Sequence, residues 1–240
     1  MAELKDRLDT FHGGLVLKHH KELSASSEVV RIERPERLVI SLRVNRGHVS
    51  EPVVTVGERV NKYQVIAQPI HPFGVVVHAP FSGTIRAIEN QPTAAPDAEQ
   101  APCIILDTDA ADETIDDLPP LDEINRPNLI QRIQDAGILG MGGAGFPTHV
   151  KYDHQTRSQD HLLIINGAEC EPYITCDERL MLDEPEALIK GTHLLMQAAE
   201  ANRGMIAIED NLGGVKSRLD QAIQALGLAN ISVVKVPTIY

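Results

Sequence analysis

Residues 140–151 read GMGGAGFPTHVK, the stretch whose residue types and spacing are best suited to chemistry. Four glycines within six residues (Gly140, Gly142, Gly143 and Gly145, with Ala144 between them) strip side chains from one surface. A flat ring or a phosphate can then approach backbone N–H groups directly. Phe146 offers an apolar face for stacking in a chain that is only 3% aromatic. Pro147 stiffens the turn, Thr148 can cap a following helix, and Lys151 sets a cation near a bound anion. Gly140, Gly142 and Gly145 satisfy G-x-G-x-x-G, but a dinucleotide fingerprint follows a strand and opens a helix. Here the preceding NLIQRIQDAGI puts Leu129, Ile133 and Ala136 on one helical face. The ordinary Rossmann fingerprint is therefore excluded. The competing reading is a Gly-rich connection without a ligand, for which about one or two glycines would be enough.

A second constellation follows the apolar strand HLLIING, which leads into Asn166-Gly167-Ala168-Glu169-Cys170-Glu171-Pro172. Asn166 and Glu169, at a strand's C-terminal end, are placed to hydrogen-bond a ring edge or a ribose. The alternative is helix capping before CDERLML, a task Asp177 can also fill. Cys103, Cys170 and Cys176 read as free thiols, and the Cys170–Cys176 spacing fits no common zinc or iron–sulfur pattern. No metal site is expected.

The elements that must position these residues fall into stretches. Residues 1–33 look like an extended leader with a short polar segment, HKELSASSEV. Residues 34–110 are rich in Val and Ile and punctuated by Gly and Pro; LVISLRV, PVVTV, YQVIAQPI, GVVVHAP and CIILDT read as strands. Residues 111–127 belong to an acidic, Pro-containing run read as a solvated linker. Residues 128–240 alternate helical and strand patterns, with buried-type strands in HLLIING and MIAIED, a break or new first turn at Pro185, and a Gly stop after VKSRLDQAIQAL. Such alternation implies parallel pairing. A net charge of -12 argues against nucleic-acid or anionic-membrane binding. No apolar run approaches a membrane span, and the N-terminus lacks the apolar core of a secretion signal, so a cytoplasmic setting is expected.

Within the β-rich stretch, Gly57-Glu58-Arg59-Val60 and the turn Ala79-Pro80-Phe81-Ser82-Gly83 resemble the biotinyl/lipoyl barrel-sandwich family. Carriers of that family modify a Lys at a hairpin tip. Here the tip reads Ile70-His71-Pro72-Phe73-Gly74, so a carrier role is rejected, and His71 and His78 read as ordinary loop and strand histidines. GMGGAGFPTHVK followed by INGAECEPYITCDERLM, together with HGGLVLKHHKELS, AIEDN and VVKVPTIY, resembles the RnfC component of the ion-translocating Rnf complex. It is more distantly similar to the 51 kDa, NuoF-like flavoprotein of respiratory complex I.

The resemblance implies an α+β two-domain fold: a β barrel-sandwich hybrid, then an α/β Rossmann-like FMN/NADH-binding domain of the complex I 51 kDa type. It implies a subunit peripheral to the cytoplasmic face of the bacterial inner membrane, exchanging electrons with NADH through FMN and, indirectly, with ferredoxin, beside other Rnf subunits. By motif position, Gly140, Gly142, Gly143, Ala144 and Gly145 form the flavin/nucleotide loop. Phe146 stacks on the nicotinamide nucleotide, Lys151 contacts FMN, and Asn166 and Glu169 bond the flavin or nucleotide. The complex I family has Arg in place of Met141 and Asp in place of Ala168. Relatives continue past the position of Tyr240 into further flavin-binding residues and two 4Fe–4S clusters, so those clusters are expected outside this chain and the flavin site is expected to be incomplete. The competing classes are a non-catalytic docking segment of an electron-transport assembly and the flavoprotein subunit of a soluble NAD-linked hydrogenase or formate dehydrogenase. The barrel-sandwich stretch argues against the latter.

Overall fold

The computed structural model describes residues 15, 17–43, 48–93, 99–115, 118–141, 144–152, 161–169 and 171–239. The chain divides into two compact units, Ile32–Thr156 and Met1–Arg31 with Arg157–Tyr240. Each is described by itself.

Among the described residues of the first unit there are seven strands: β1 (Arg37–Ser41), β2 (Ser50–Pro52), β3 (Arg59–Val60), β4 (Val65–Pro69), β5 (Val77–His78), β6 (Gly83–Pro92) and β7 (Gln100–Thr108). They form two antiparallel sheets, ordered β1-β7-β6-β3 and β2-β4-β5. Val60, Ile66, Val77, Ile85, Ile104 and Leu106, drawn from both sheets, share one buried core. Each such side chain contributes about 1.5–3 kcal/mol by leaving water. Gly83 is obligatory, because a Cβ there would lie 2.2 Å from the Asp107 carbonyl oxygen across the β6–β7 ladder. The described residues of this unit also form the helices α1 (Arg126–Asp135) and the short α2 (Thr148–Tyr152).

Several expectations are corrected here. PVVTV is not a strand beyond Pro52. The chain turns instead, with Gly57 at φ 88 and the Glu58 carboxylate accepting from the Thr55 N–H at 2.9 Å. GVVVHAP pairs only at Val77–His78. The acidic run is in part tied back to the rest of the first unit while staying partly exposed: Asp109 and Glu113 pair with Arg59, and Asp112 with Lys62. Two nearby cations make that edge of the sheet a better neighbour for carboxylates than their own sequence neighbours are.

The second unit carries a parallel three-stranded sheet in the order β10-β9-β8, formed by β8 (Leu162–Gly167), β9 (Arg203–Glu209) and β10 (Ile231–Val236). Between strands run α3 (Cys176–Asp183), α4 (Pro185–Ala198) and α5 (Val215–Leu226). Pro185 starts α4 as a first-turn proline, and Gly227, at φ 67, closes α5. Central β9 is buried on both faces, as its apolar run requires. HLLIING is not: among the described residues β8 lies at the edge of its sheet, and Ile164 is 59% exposed. Residues 17–31 are more than a leader. A 3-10 turn at Lys21–Leu23 buries Lys21, and the His19 carbonyl accepts from Tyr173 N–H at 2.7 Å. Among the described residues no helix is long and apolar enough to cross a membrane.

Candidate functional site

The Gly-rich loop is shaped by the helix before it. Helix α1 starts at Asn125, whose side chain accepts from the Asn128 N–H. It ends at Gly137 (φ 65), where Gly137 N–H donates to Gln134 and Ile138 N–H to Ile133. This doubly bonded ending satisfies the last carbonyls and turns the chain. Leu139 then bridges Pro147, Gly140 N–H donates to the Phe146 carbonyl at 2.8 Å, and Thr148 N–H to Ile138 at 3.0 Å. The loop is thus closed at its base, and Thr148 opens α2 rather than capping it from outside.

Five of the anticipated loop residues lie together here. Gly140 leaves room for Lys151: a Cβ would stand 3.1 Å from the Lys151 ammonium. That ammonium lies 5.8 Å from the centre of the Phe146 ring, within cation–π reach. Phe146 is 39% exposed, Ala144 is exposed, and Gly145 has φ 57. Gly142 and Gly143 lie outside the described residues. A flat ring with an attached anion fits this set, because the exposed ring can stack and the ammonium can pair with negative charge.

Motif reasoning missed the neighbours of this loop. Phe73 meets Phe146 edge-on, with centroids 5.9 Å apart, and buried His149 bonds the Pro72 carbonyl through Nε2 at 3.0 Å. The carbonyl must accept, so Nε2 carries the proton. The available signal was the scarcity of aromatics.

Asn166 and Glu169 belong to the other unit. Asn166 is exposed at the end of β8, and its Oδ1 accepts from the Ala168 N–H at 3.1 Å. Glu169 is 3% exposed, with both oxygens committed. Oε1 accepts from the Asp177 N–H at 2.9 Å and from the Glu178 N–H, at the start of α3; Oε2 pairs with Lys21. Glu169 therefore fills the capping task that was also open to Asp177. Lys21 reaches a second buried carboxylate, Glu209, at 3.2 Å. Cys176 is exposed at the head of α3; Cys103 is buried in β7, and burial pushes its thiol pKa up. Cys170 lies outside the described residues.

Burial first, and then repulsion from Glu169 and Glu209, raises the pKa of Glu178 against the opposing pull of Lys21. A carboxyl whose folded pKa is raised holds its proton more tightly when folded, so stability is lost as pH rises through that value. Glu178→Gln is expected to raise the melting temperature at about pH 8 and to leave it unchanged at about pH 4. Calorimetry at the two pH values checks this, and an equal effect at both would refute it.

Two family descriptions match this chain: "RnfC Barrel sandwich hybrid domain" over residues 9–111 and "Nuo51 FMN-binding domain" over residues 133–240. The class these matches define is a chain that joins a barrel-sandwich hybrid of the RnfC type to an FMN-binding domain of the Nuo51 type. Relatives named as the C component (RnfC) of the ion-translocating oxidoreductase complex cover nearly all of the chain. That of Vibrio cholerae serotype O1 is 36% identical over 91% of this chain and 28% of its own length. That of Edwardsiella ictaluri is 38% identical over 98% and 29%, and that of Haemophilus influenzae 35% identical over 100% and 38%. The chain is similar to these RnfC proteins over nearly all of its own length and spans about a third of theirs. A solved NAD+-reducing NiFe hydrogenase in the air-oxidized state is 26% identical, with a TM-score of 0.44 over 47% of this chain and 21% of that one.

Proposed function

We propose that this chain carries the FMN-binding portion of an electron-transfer subunit, exchanging electrons between NADH and iron–sulfur centres coupled to ferredoxin in an ion-translocating complex. The observation that carries this reading is the exposed Phe146 in a closed, side-chain-poor loop beneath the Lys151 ammonium. Gly140, Gly142, Gly143, Ala144 and Gly145 let a ring or phosphate approach backbone N–H groups. Phe146 stacks on the nicotinamide nucleotide, and Lys151 holds negative charge of the FMN. In the α/β unit, taken here as Rossmann-like, Asn166 offers an exposed amide to the flavin or nucleotide, and Glu169 acts by fixing the turn in which it sits. Bound FMN would supply the chemistry, accepting one hydride, an electron pair with its proton, and releasing the two electrons singly. Other subunits of the complex, peripheral attachment at the cytoplasmic face of the bacterial inner membrane and 4Fe–4S clusters held outside this chain complete the reading.

The test is flavin reconstitution of the protein expressed with whatever its gene encodes on either side. Noncovalent flavin absorbance is expected, with Phe146→Ala weakening nucleotide binding about tenfold. A preparation that retains no flavin after reconstitution sinks the proposal.

A further inference from the structure

We propose that the tip of the β4–β5 hairpin, residues 70–74, is itself a binding element of the Gly-rich loop, with Phe73 extending the ring surface of Phe146 for the flat heterocycle of a nucleotide. This inference rests on the nucleotide reading above. The chain has four phenylalanines, and two of them meet here. The two ring planes stand at 86°, so their faces point in nearly perpendicular directions. Phe73 is 38% exposed, so the pair is not core packing. Behind Phe73 the surface continues: the His48 ring stacks on His71 at 4.2 Å and lies 5.9 Å from Phe73. The Lys151 ammonium over Phe146 adds the charge that a nucleotide phosphate needs.

The tip is also fixed in place. Gly74 N–H donates to the His71 carbonyl at 2.7 Å, and Phe73 N–H to His71 Nδ1 at 3.1 Å. A Cβ on Gly74 would lie 2.8 Å from Pro69 Cβ, so the turn admits no side chain there. His149 holds the Pro72 carbonyl, and the Ser50 hydroxyl holds the Val75 carbonyl at 2.7 Å. Side chains on such a turn are preorganised, which removes most of the ordering cost of binding. Two partly exposed rings, held rigid and set beside a cation, suit a planar anionic ligand better than a protein surface, which would need a wider apolar patch.

The test uses the protein with its native flanking sequence, titrated separately with FMN and with ADP-ribose or NAD+. Phe73→Ala is expected to weaken binding of one or both about tenfold without changing the melting temperature. Phe73→Trp is expected to restore it, and Phe73→Leu, which keeps apolar packing, is not. The ligand that loses affinity identifies the ring that packs on Phe73. If Phe73→Ala and Phe73→Leu both bind FMN and the nucleotide within about twofold of the parent while Phe146→Ala does not, the hairpin tip is no part of the site. If the parent itself binds neither ligand, the nucleotide reading falls, and this inference with it.

Discussion

Lys21→Met is expected to destabilise the α/β unit by about 3–5 kcal/mol, the usual cost of leaving a buried charge without its partner. Lys21, Glu169 and Glu209 are 5%, 3% and 4% exposed, and one ammonium serves both carboxylates. Burial alone would lower the Lys21 pKa; pairing with Glu169 and then Glu209 outweighs it, and the net direction is up. With the folded pKa above the unfolded one, this stabilisation is complete at neutral pH and is lost only as pH rises through the folded value. The variant leaves two buried carboxylates without the ammonium they share, which is the source of its deficit. Replacing all three groups (Lys21→Met, Glu169→Gln and Glu209→Gln) should recover most of the loss. Denaturant melts of these variants across pH are the measurement. A deficit below about 1 kcal/mol at neutral pH would show that the cluster is not buried as described.

Gly137→Ala is expected to destabilise the β-rich unit by roughly 2–5 kcal/mol. About 1–2 kcal/mol comes from holding an L-residue at φ 65. A further 1–3 kcal/mol or so, roughly, comes from overpacking, because the new Cβ would meet the Val76 carbonyl oxygen at 2.4 Å. Backbone cannot swing aside as a side-chain end can. Gly57→Ala in the same unit is the control: its φ is 88, but nothing lies within 4 Å of the added carbon, so only the conformational cost applies. Equal losses for the two variants would remove the steric argument. Hydrogen exchange at Val76 and Ile138 should accelerate only in Gly137→Ala, since this contact ties the hairpin strand to the entrance of the Gly-rich loop.

Much of the local structure was legible. The period of NLIQRIQDAGI gave a helix before the loop, which is why the ordinary dinucleotide fingerprint was excluded. Pro185 and Gly227 marked helix boundaries for reasons internal to the backbone: a missing N–H and a permitted left-handed φ. Strand reading was weaker. PVVTV has the composition of a strand, but the Glu58 carboxylate and the left-handed Gly57 hold it in a turn. Ten-residue β6 was not read as a strand, because TIRAIENQP mixes its apolar residues with charged and amide ones.

The sequence by itself determined the chemistry on offer: a glycine-dense loop bearing one Phe and one Lys, an Asn–Glu turn after a strand, and a hairpin tip without Lys. These depend on residue type and near spacing, which the chain fixes locally. Tertiary structure alone decided which of these groups are free to act. Glu169 is spent on Lys21, 148 residues away, and on the α3 N–H groups. Phe73 reaches Phe146 only because two sheets and a Gly-ended helix bring them together. Pairings across such separations leave no periodic mark in the chain. They are set by which buried charges must be neutralised and which backbones can approach, conditions that exist only once the fold has formed.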